Sequence, residues 1–256
     1  MLELNKIYNM DCLDGMKLIN DESIDLVVAD PPYFQIRCDF DFIDDYNTYL
    51  NKYNLWMNEI YRILKPNGSL YIFSAGDHDT LVDILTIHKN SKLNSINKII
   101  WNYTTQVNGN QGHMALNWDM IHFMIKGDYS RKHCCTHSHI WNSKNTTIRM
   151  KHASNDKRNS PLGKFLTNVW NDCPPVRGNY KERVNHPTQK PIKLITRIIR
   201  LSSNENDLIL DPFMGSGTTA VVCKNENRNY IGFELNNTYC ELSNKRIEEH
   251  SNKLII

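Results

Sequence analysis

Residues 207–220 read DLILDPFMGSGTTA. An apolar run, Leu208-Ile209-Leu210, ends at Asp211-Pro212-Phe213, and Gly215, Gly217 and Ala220 then fall in the G-x-G-x-x-G/A spacing of a nucleotide-binding turn. Glycine there lets the backbone approach a ligand and lets the next helix begin at once. The following stretch, NYIGFE, ends at Glu234, 19 residues beyond Gly215, where an acid commonly holds ribose hydroxyls. A lone glycine motif says little. Strand, glycine turn, helix, strand and acid in register point to an α/β sheet with a nucleotide at its edge.

The acid beside the turn discriminates between nucleotides. A pyrophosphate would be repelled by a carboxylate placed as Asp211 is, whereas S-adenosylmethionine has no phosphate and carries a sulfonium and an ammonium. The acid therefore favours S-adenosylmethionine over NAD.

Outward from this stretch, apolar spacing alternates between strand and helix. A helix is expected over 47–64, stopped by Lys65-Pro66-Asn67-Gly68; then strand 69–73, helix 77–88, strand 96–101 and strand 119–126. Order returns with PIKLITRIIRLSS, a helix that opens at Pro191 and keeps Leu194, Ile195, Ile198 and Ile199 on one face. Between them, about 127–185, the periodicity fails. The expected organisation is one domain made of 1–126 and 186–256, split by an insertion at 127–185.

At 256 residues, 40% hydrophobic and 23% charged, the chain can build one large core. It has no apolar run long enough to span a membrane and no signal pattern at its start, so a cytoplasmic protein without a membrane partner is expected. Seven cysteines with no C-x-x-C pair argue against a disulfide framework, and the cluster HCCTHSH (133–139) has poor spacing for zinc, so no metal is expected. Net charge is +2, yet residues 126–183 hold twelve Lys and Arg against four acids. That block suits a polyanion, with Arg149, Lys151, Lys157 and Arg158 as candidate DNA contacts; a solvated loop is the competing reading.

A second strand end carries chemistry. Residues 25–34 read DLVVADPPYF. Proline fixes φ, lacks an N–H and pushes its predecessor toward extended geometry, so Asp30-Pro31-Pro32 stiffly ends a parallel strand. One carboxylate and one carbonyl held side by side are two acceptors, suited to an amino group with two hydrogens to give. Tyr33 adds a face on which a planar ring could stack, worth about 1–3 kcal/mol per base.

Together these stretches resemble the DNA amino-methyltransferases, which methylate adenine N6 or cytosine N4. Residues 30–33 match the catalytic D-P-P-Y of that family, 211–217 its S-adenosyl-L-methionine loop, and HPTQKP (186–191) the element that precedes the loop. The order, with the catalytic strand first and the cofactor loop near the C-terminus, is like that of the beta group. The resemblance implies a seven-stranded Rossmann-like methyltransferase sheet, circularly permuted, with an inserted target-recognition region. It implies Asp30, Pro31, Pro32 and Tyr33 as catalytic residues. It also implies a cofactor site formed by Asp11, Cys12, Asp30, Thr188, Lys190, Asp211, Pro212, Phe213, Gly215, Ser216, Gly217, Thr218 and Glu234. In this scheme Asp11 and Cys12 lie near the adenine, Glu234 on the ribose, and Lys190 or Thr188 at the amino-acid end. Double-stranded DNA is the implied partner, with room for a cognate restriction endonuclease and a homodimer. One departure stands out: similar enzymes often show His-Glu where this chain has Trp118-Asp119.

The expected reaction flips a base out of the duplex and moves a methyl directly onto its exocyclic amine, most simply adenine N6. The chain has no Pro-Cys dipeptide, the nucleophile signature of cytosine C5 enzymes. Cytosine N4, an RNA or protein amide, and a non-enzymatic NAD-binding regulator are the alternatives.

Overall fold

The computed structural model describes residues 2–34, 45–75, 80–103, 117–127 and 167–253. Among them run eight strands: β1 (Lys6–Asn9), β2 (Ile24–Ala29), β3 (Leu64–Ala75), β4 (Asn94–Asn102), β5 (Trp118–Ile125), β6 (Val169–Trp170), β7 (Leu208–Asp211) and β8 (Asn229–Glu234). The helices are α1 (Cys12–Lys17), α2 (Tyr46–Ile63), α3 (Thr80–Asn90), α4 (Ile192–Ser202), α5 (Thr218–Asn225) and α6 (Asn237–Lys253).

All eight strands form one sheet in the order β1-β8-β7-β2-β3-β5-β4-β6. Strands β1 to β3 of that order are parallel, β5 runs antiparallel to both β3 and β4, and β6 lies parallel to β4. The two ends of the chain therefore share a single sheet. They join where β2 pairs with β7, Leu26 opposite Ile209 and Val27 opposite Leu210. Asp30 and Asp211 thus end neighbouring strands, at the carboxyl edge where parallel sheets bind ligands.

Alternation along the strands sends side chains to two cores. Leu26, Val28, Tyr71 and Phe73 pack with α4, α5 and α6 on one face; Val27, Ala29, Leu70 and Ile72 pack with α1, α2 and α3 on the other. The apolar face expected of α4 is buried through Leu194, Ile195, Ile198 and Ile199. From the second core a chain of polar side chains runs out from buried Tyr53 to exposed Ser95: Tyr53 Oη to His88 Nε2 (2.9 Å), His88 Nδ1 to His122 Nδ1 (2.7 Å), His122 Nε2 to Ser95 Oγ (2.7 Å).

Two local expectations change, and two elements appear that the sequence did not announce. The two-residue β6 makes the sheet eight-stranded instead of seven. Residues 65–68 stop α2 but then belong to β3: Asn67 takes φ 65° and its N–H donates to Lys126 O, so the turn is absorbed into the strand. The short β1 and α1 were not legible as periodic segments, being four and six residues long. Among the described residues no helix is long and apolar enough to cross a membrane.

Candidate active site

A cavity of about 440 Å³ opens along the carboxyl ends of β1, β2, β7 and β8. Its walls include Asp11, Cys12, Asp30, Pro31, Pro32, Tyr33, Thr188, Lys190, Asp211, Pro212, Phe213, Gly215, Ser216, Thr218 and Glu234. Of the site residues expected from the sequence, Gly217 is not among the lining residues, and Arg149, Lys151, Lys157 and Arg158 lie outside the described residues, as does the 133–139 cluster.

The glycine turn is braced by two carboxylates. Asp211 accepts from Phe213 N (3.0 Å) and Thr219 Oγ1 (2.5 Å). Burial pushes its pKa up to about 7, against the downward pull of those two bonds. The acid that the sequence reading cast as a counter-charge for a cationic ligand thus also braces the turn, one bond to each oxygen. Glu234 receives Gly215 N on one oxygen and Asn236 N on the other, both at 2.8 Å, which leaves lone pairs directed outward for a ligand hydroxyl. Burial raises the Glu234 pKa.

The two glycines do different work. Gly215 has φ +50°, and a Cβ there would stand 3.0 Å from His186 Nε2 beside the cavity. Gly217 has φ +75° and caps α5; a Cβ there would come within 2.9 Å of Ser243 Cβ on α6. Among protein atoms the close approach at Gly217 is thus to a helix, α6. Arg246 of α6, which no sequence signal picked out, supports the turn from behind through Ser216 O and Thr218 Oγ1, both at 2.9 Å.

HPTQKP is clasped onto this turn. Thr218 Oγ1 donates to Lys190 O (3.1 Å), and Gln189 ties its own segment through Val184 N (2.9 Å) and Glu182 O (2.7 Å). Thr188 is exposed at the cavity wall. Asp11 caps α1 by accepting from Leu13 N (2.7 Å), and the adjoining Cys12 is buried, which pushes its thiol pKa far up.

At the other strand end, both oxygens of Asp30 are engaged: Tyr33 Oη donates to Oδ1 (2.6 Å) and Lys190 Nζ to Oδ2. Pro32 O accepts from Tyr49 Oη of α2 (3.0 Å), which adds a clamp to the stiffness of the prolines. Burial, then Asp30 and Asp119, drive the Tyr33 phenol well above its ordinary pKa, so it stays a donor. The sequence reading offered Lys190 or Thr188 for the cofactor's amino-acid end; the Lys190 ammonium here rests on the Asp30 carboxylate.

Several cavity residues were not anticipated: Trp101, Tyr103 and Asp119 from β4, its end and β5, and Pro175, Val176 and Arg177 from the segment after β6. That segment is pinned by Trp101 Nε1 donating to Cys173 O (2.6 Å) and by a two-pronged Arg197–Asp172 pair at 2.9 and 2.6 Å. Arg197 holds the Asp172 carboxyl well below the usual range. The only hint in the sequence was a second Pro-Pro, at 174–175.

The family model described as DNA methylase matches residues 24–245. The chain belongs to the DNA methylase family. It is 35% identical over 259 residues to the Type II methyltransferase M1.MboII of Moraxella bovis, covering 95% of this chain and 96% of that protein. The DNA adenine methyltransferase YhdJ of Escherichia coli (strain K12) is 33% identical over 261 residues, with 96% and 83% covered. The fold of this chain is shared by a putative DNA modification methylase of Thermus thermophilus, TTHA0409, solved in complex with S-adenosyl-L-methionine: TM-score 0.68, 23% identity, 96% and 95% covered. The protein is accordingly a DNA amino-methyltransferase with S-adenosyl-L-methionine as methyl donor. Its cavity fits that donor. Asp11, Asp30 and Glu234 line it with acids, and Phe213 and Trp56 offer aromatic walls at the glycine end.

Proposed function

We propose that this methyltransferase acts on adenine N6 in double-stranded DNA, with Asp30 and the Pro31 carbonyl accepting the two amine hydrogens and Tyr33 stacking on the flipped base. The observation that carries this is the placement of Asp30: at the end of β2, one strand from the glycine turn, in the same cavity as Glu234. Two fixed acceptors make the amine nitrogen more pyramidal and aim its lone pair at the donor's methyl. Tyr33 offsets part of the few kcal/mol that unstacking costs. When bound, S-adenosyl-L-methionine supplies an electrophilic methyl. Glu234 would hold its ribose, Asp11 and Cys12 its adenine end, and Thr188, Ser216 and Thr218 with the Gly215 backbone its amino-acid end, while Lys190 stays within reach of both groups.

The D-P-P-Y form supports adenine over cytosine N4, as does likeness to YhdJ. Residues 127–185 are proposed as the target-recognition region, on the strength of their basic excess. The proposal extends to a cognate restriction endonuclease, supported by the Type II designation of M1.MboII, to a homodimer, and to action in the cytoplasm. The test is digestion of DNA methylated by the purified protein, with the product nucleosides separated. N6-methyldeoxyadenosine is expected; N4-methyldeoxycytidine would reassign the target and leave the amine chemistry standing.

A further inference from the structure

Asp119 faces the site without a role so far. It pairs with Ala75 on one side and Trp101 on the other, so the three side chains share one face of the sheet, the face that also carries Phe73. Asp30 ends β2, two strands away, roughly 10 Å at the usual spacing. Both acids line the one cavity. Lys190 holds Asp30, stands 5.2 Å from the Phe73 ring and 5.7 Å from the Tyr33 ring, and acts on Asp119 through its charge.

A flipped base brings an amine and, beside it, a ring nitrogen with a lone pair: N1 in adenine, N3 in cytosine. With its Watson–Crick partner left behind, that nitrogen is an acceptor that needs a donor once buried. Among the described residues, the donors nearest these two acids are already engaged. Tyr33 Oη and Lys190 Nζ serve Asp30, Trp101 Nε1 serves Cys173 O, and Tyr103 Oη is hydrogen-bonded to Asp119. Arg177 lies over the Tyr103 ring, at 5.9 Å.

We propose that Asp119, as a neutral carboxylic acid, donates a hydrogen bond to the ring nitrogen beside the reacting amine and so helps specify the base. The inference rests on the reading that the amine sits at Asp30. Tyr103 Oη would hold one Asp119 oxygen as acceptor and leave the other to carry the proton. Burial raises the Asp119 pKa, which favours that neutral form; Asp30 adds to the rise, while Lys190, the Tyr103 bond and Arg177 oppose it, and Tyr33 is the remaining titratable neighbour.

The test uses duplexes whose target base is intact or has that ring nitrogen replaced by CH: 1-deazaadenine, or 3-deazacytosine if the product analysis gives cytosine. Wild-type single-turnover transfer should fall about ten- to a hundredfold on the deaza substrate, the cost of an unmade buried hydrogen bond. Asp119→Ala should show no such discrimination, and calorimetric cofactor binding would show that it is folded. Asp119→Asn keeps a donor but cannot ionise. It should still discriminate, and it should lack the decline in kcat/KM that wild type shows as pH rises through the Asp119 titration. Equal deaza penalties in wild type and Asp119→Ala would overturn the inference, as would the high-pH decline persisting in Asp119→Asn, which decides the matter if the alanine variant does not fold. Methylation of wild-type DNA anywhere but on an amine would instead strike the reading beneath it.

Discussion

Gly217→Ala separates two uses of a glycine that the motif alone conflates. The residue sits at φ +75°, where a Cβ costs about 1–2 kcal/mol. The added methyl would also stand 2.9 Å from Ser243 Cβ and 3.2 Å from its Cα, on a helix that cannot swing away as a flexible side chain would. Overpacking of that kind adds about 1–3 kcal/mol. The expected loss is therefore about 2–5 kcal/mol, measured by urea unfolding. Cofactor affinity, measured by calorimetry well below the transition, should fall less than for Gly215→Ala, whose Cβ would press on His186 at the cavity wall. A Gly217→Ala protein of wild-type stability with much weaker cofactor binding would refute the argument and restore the cofactor-approach role.

Asp30→Ala should lower methyl transfer by at least about 10²–10³ while the fold and measurable DNA binding persist; a rate near wild type in a single-turnover assay would end the acceptor mechanism. Tyr33→Phe removes the 2.6 Å bond that orients Asp30 and should cost about tenfold, whereas Tyr33→Ala also loses the stacking face and should be nearly inactive. Asp211 binds its proton more tightly folded than unfolded, so it contributes stability below about pH 4 that is lost as pH rises toward its folded pKa of about 7, roughly 4 kcal/mol in all. His88 and His122, held by burial at about 3 and 4, act in reverse: their contribution is whole above pH 6.5 and drains away as pH falls. Asp211→Asn should therefore raise stability at pH 8 relative to pH 5, and an unchanged slope between those two pH values in denaturant unfolding would contradict the assignment. Replacing Arg149, Lys151, Lys157 and Arg158 with Gln should weaken DNA binding and flatten its salt dependence, since fewer counterions are released; the same slope with and without them would make the block a solvated loop.

What the sequence made legible follows from range. Strand, turn and helix around Gly215 are local, and NYIGFE is a strand over the residues expected, Asn229–Glu234. D-P-P-Y announced itself because proline geometry acts on its immediate neighbours. The partners that complete each motif come from far along the chain and leave no local trace. Tyr49 clamps Pro32 across 17 residues, Lys190 reaches Asp30 across 160, and Arg246 supports Ser216 from α6. Asp119 was visible only as a departure from the family pattern, and its meaning depends on the register that sets it beside Trp101. Asp211 likewise gives no local sign that each of its oxygens accepts one bond from the turn, from the Phe213 N–H and from Thr219.

The order of strands also constrains how the enzyme comes into being. β1 pairs with β8, the last strand to be made, and Asn9 waits for Glu234. At the usual pace of translation, about 5–20 residues per second, that wait lasts roughly 10–45 s. During it the edge of β2 that will meet β7 has no strand beside it, and the D-P-P-Y end has no glycine turn opposite. A nascent chain released before Glu234 would carry the whole D-P-P-Y tetrapeptide and still lack the strand that completes the cavity, so the site is assembled only when β8 slots between β1 and β7.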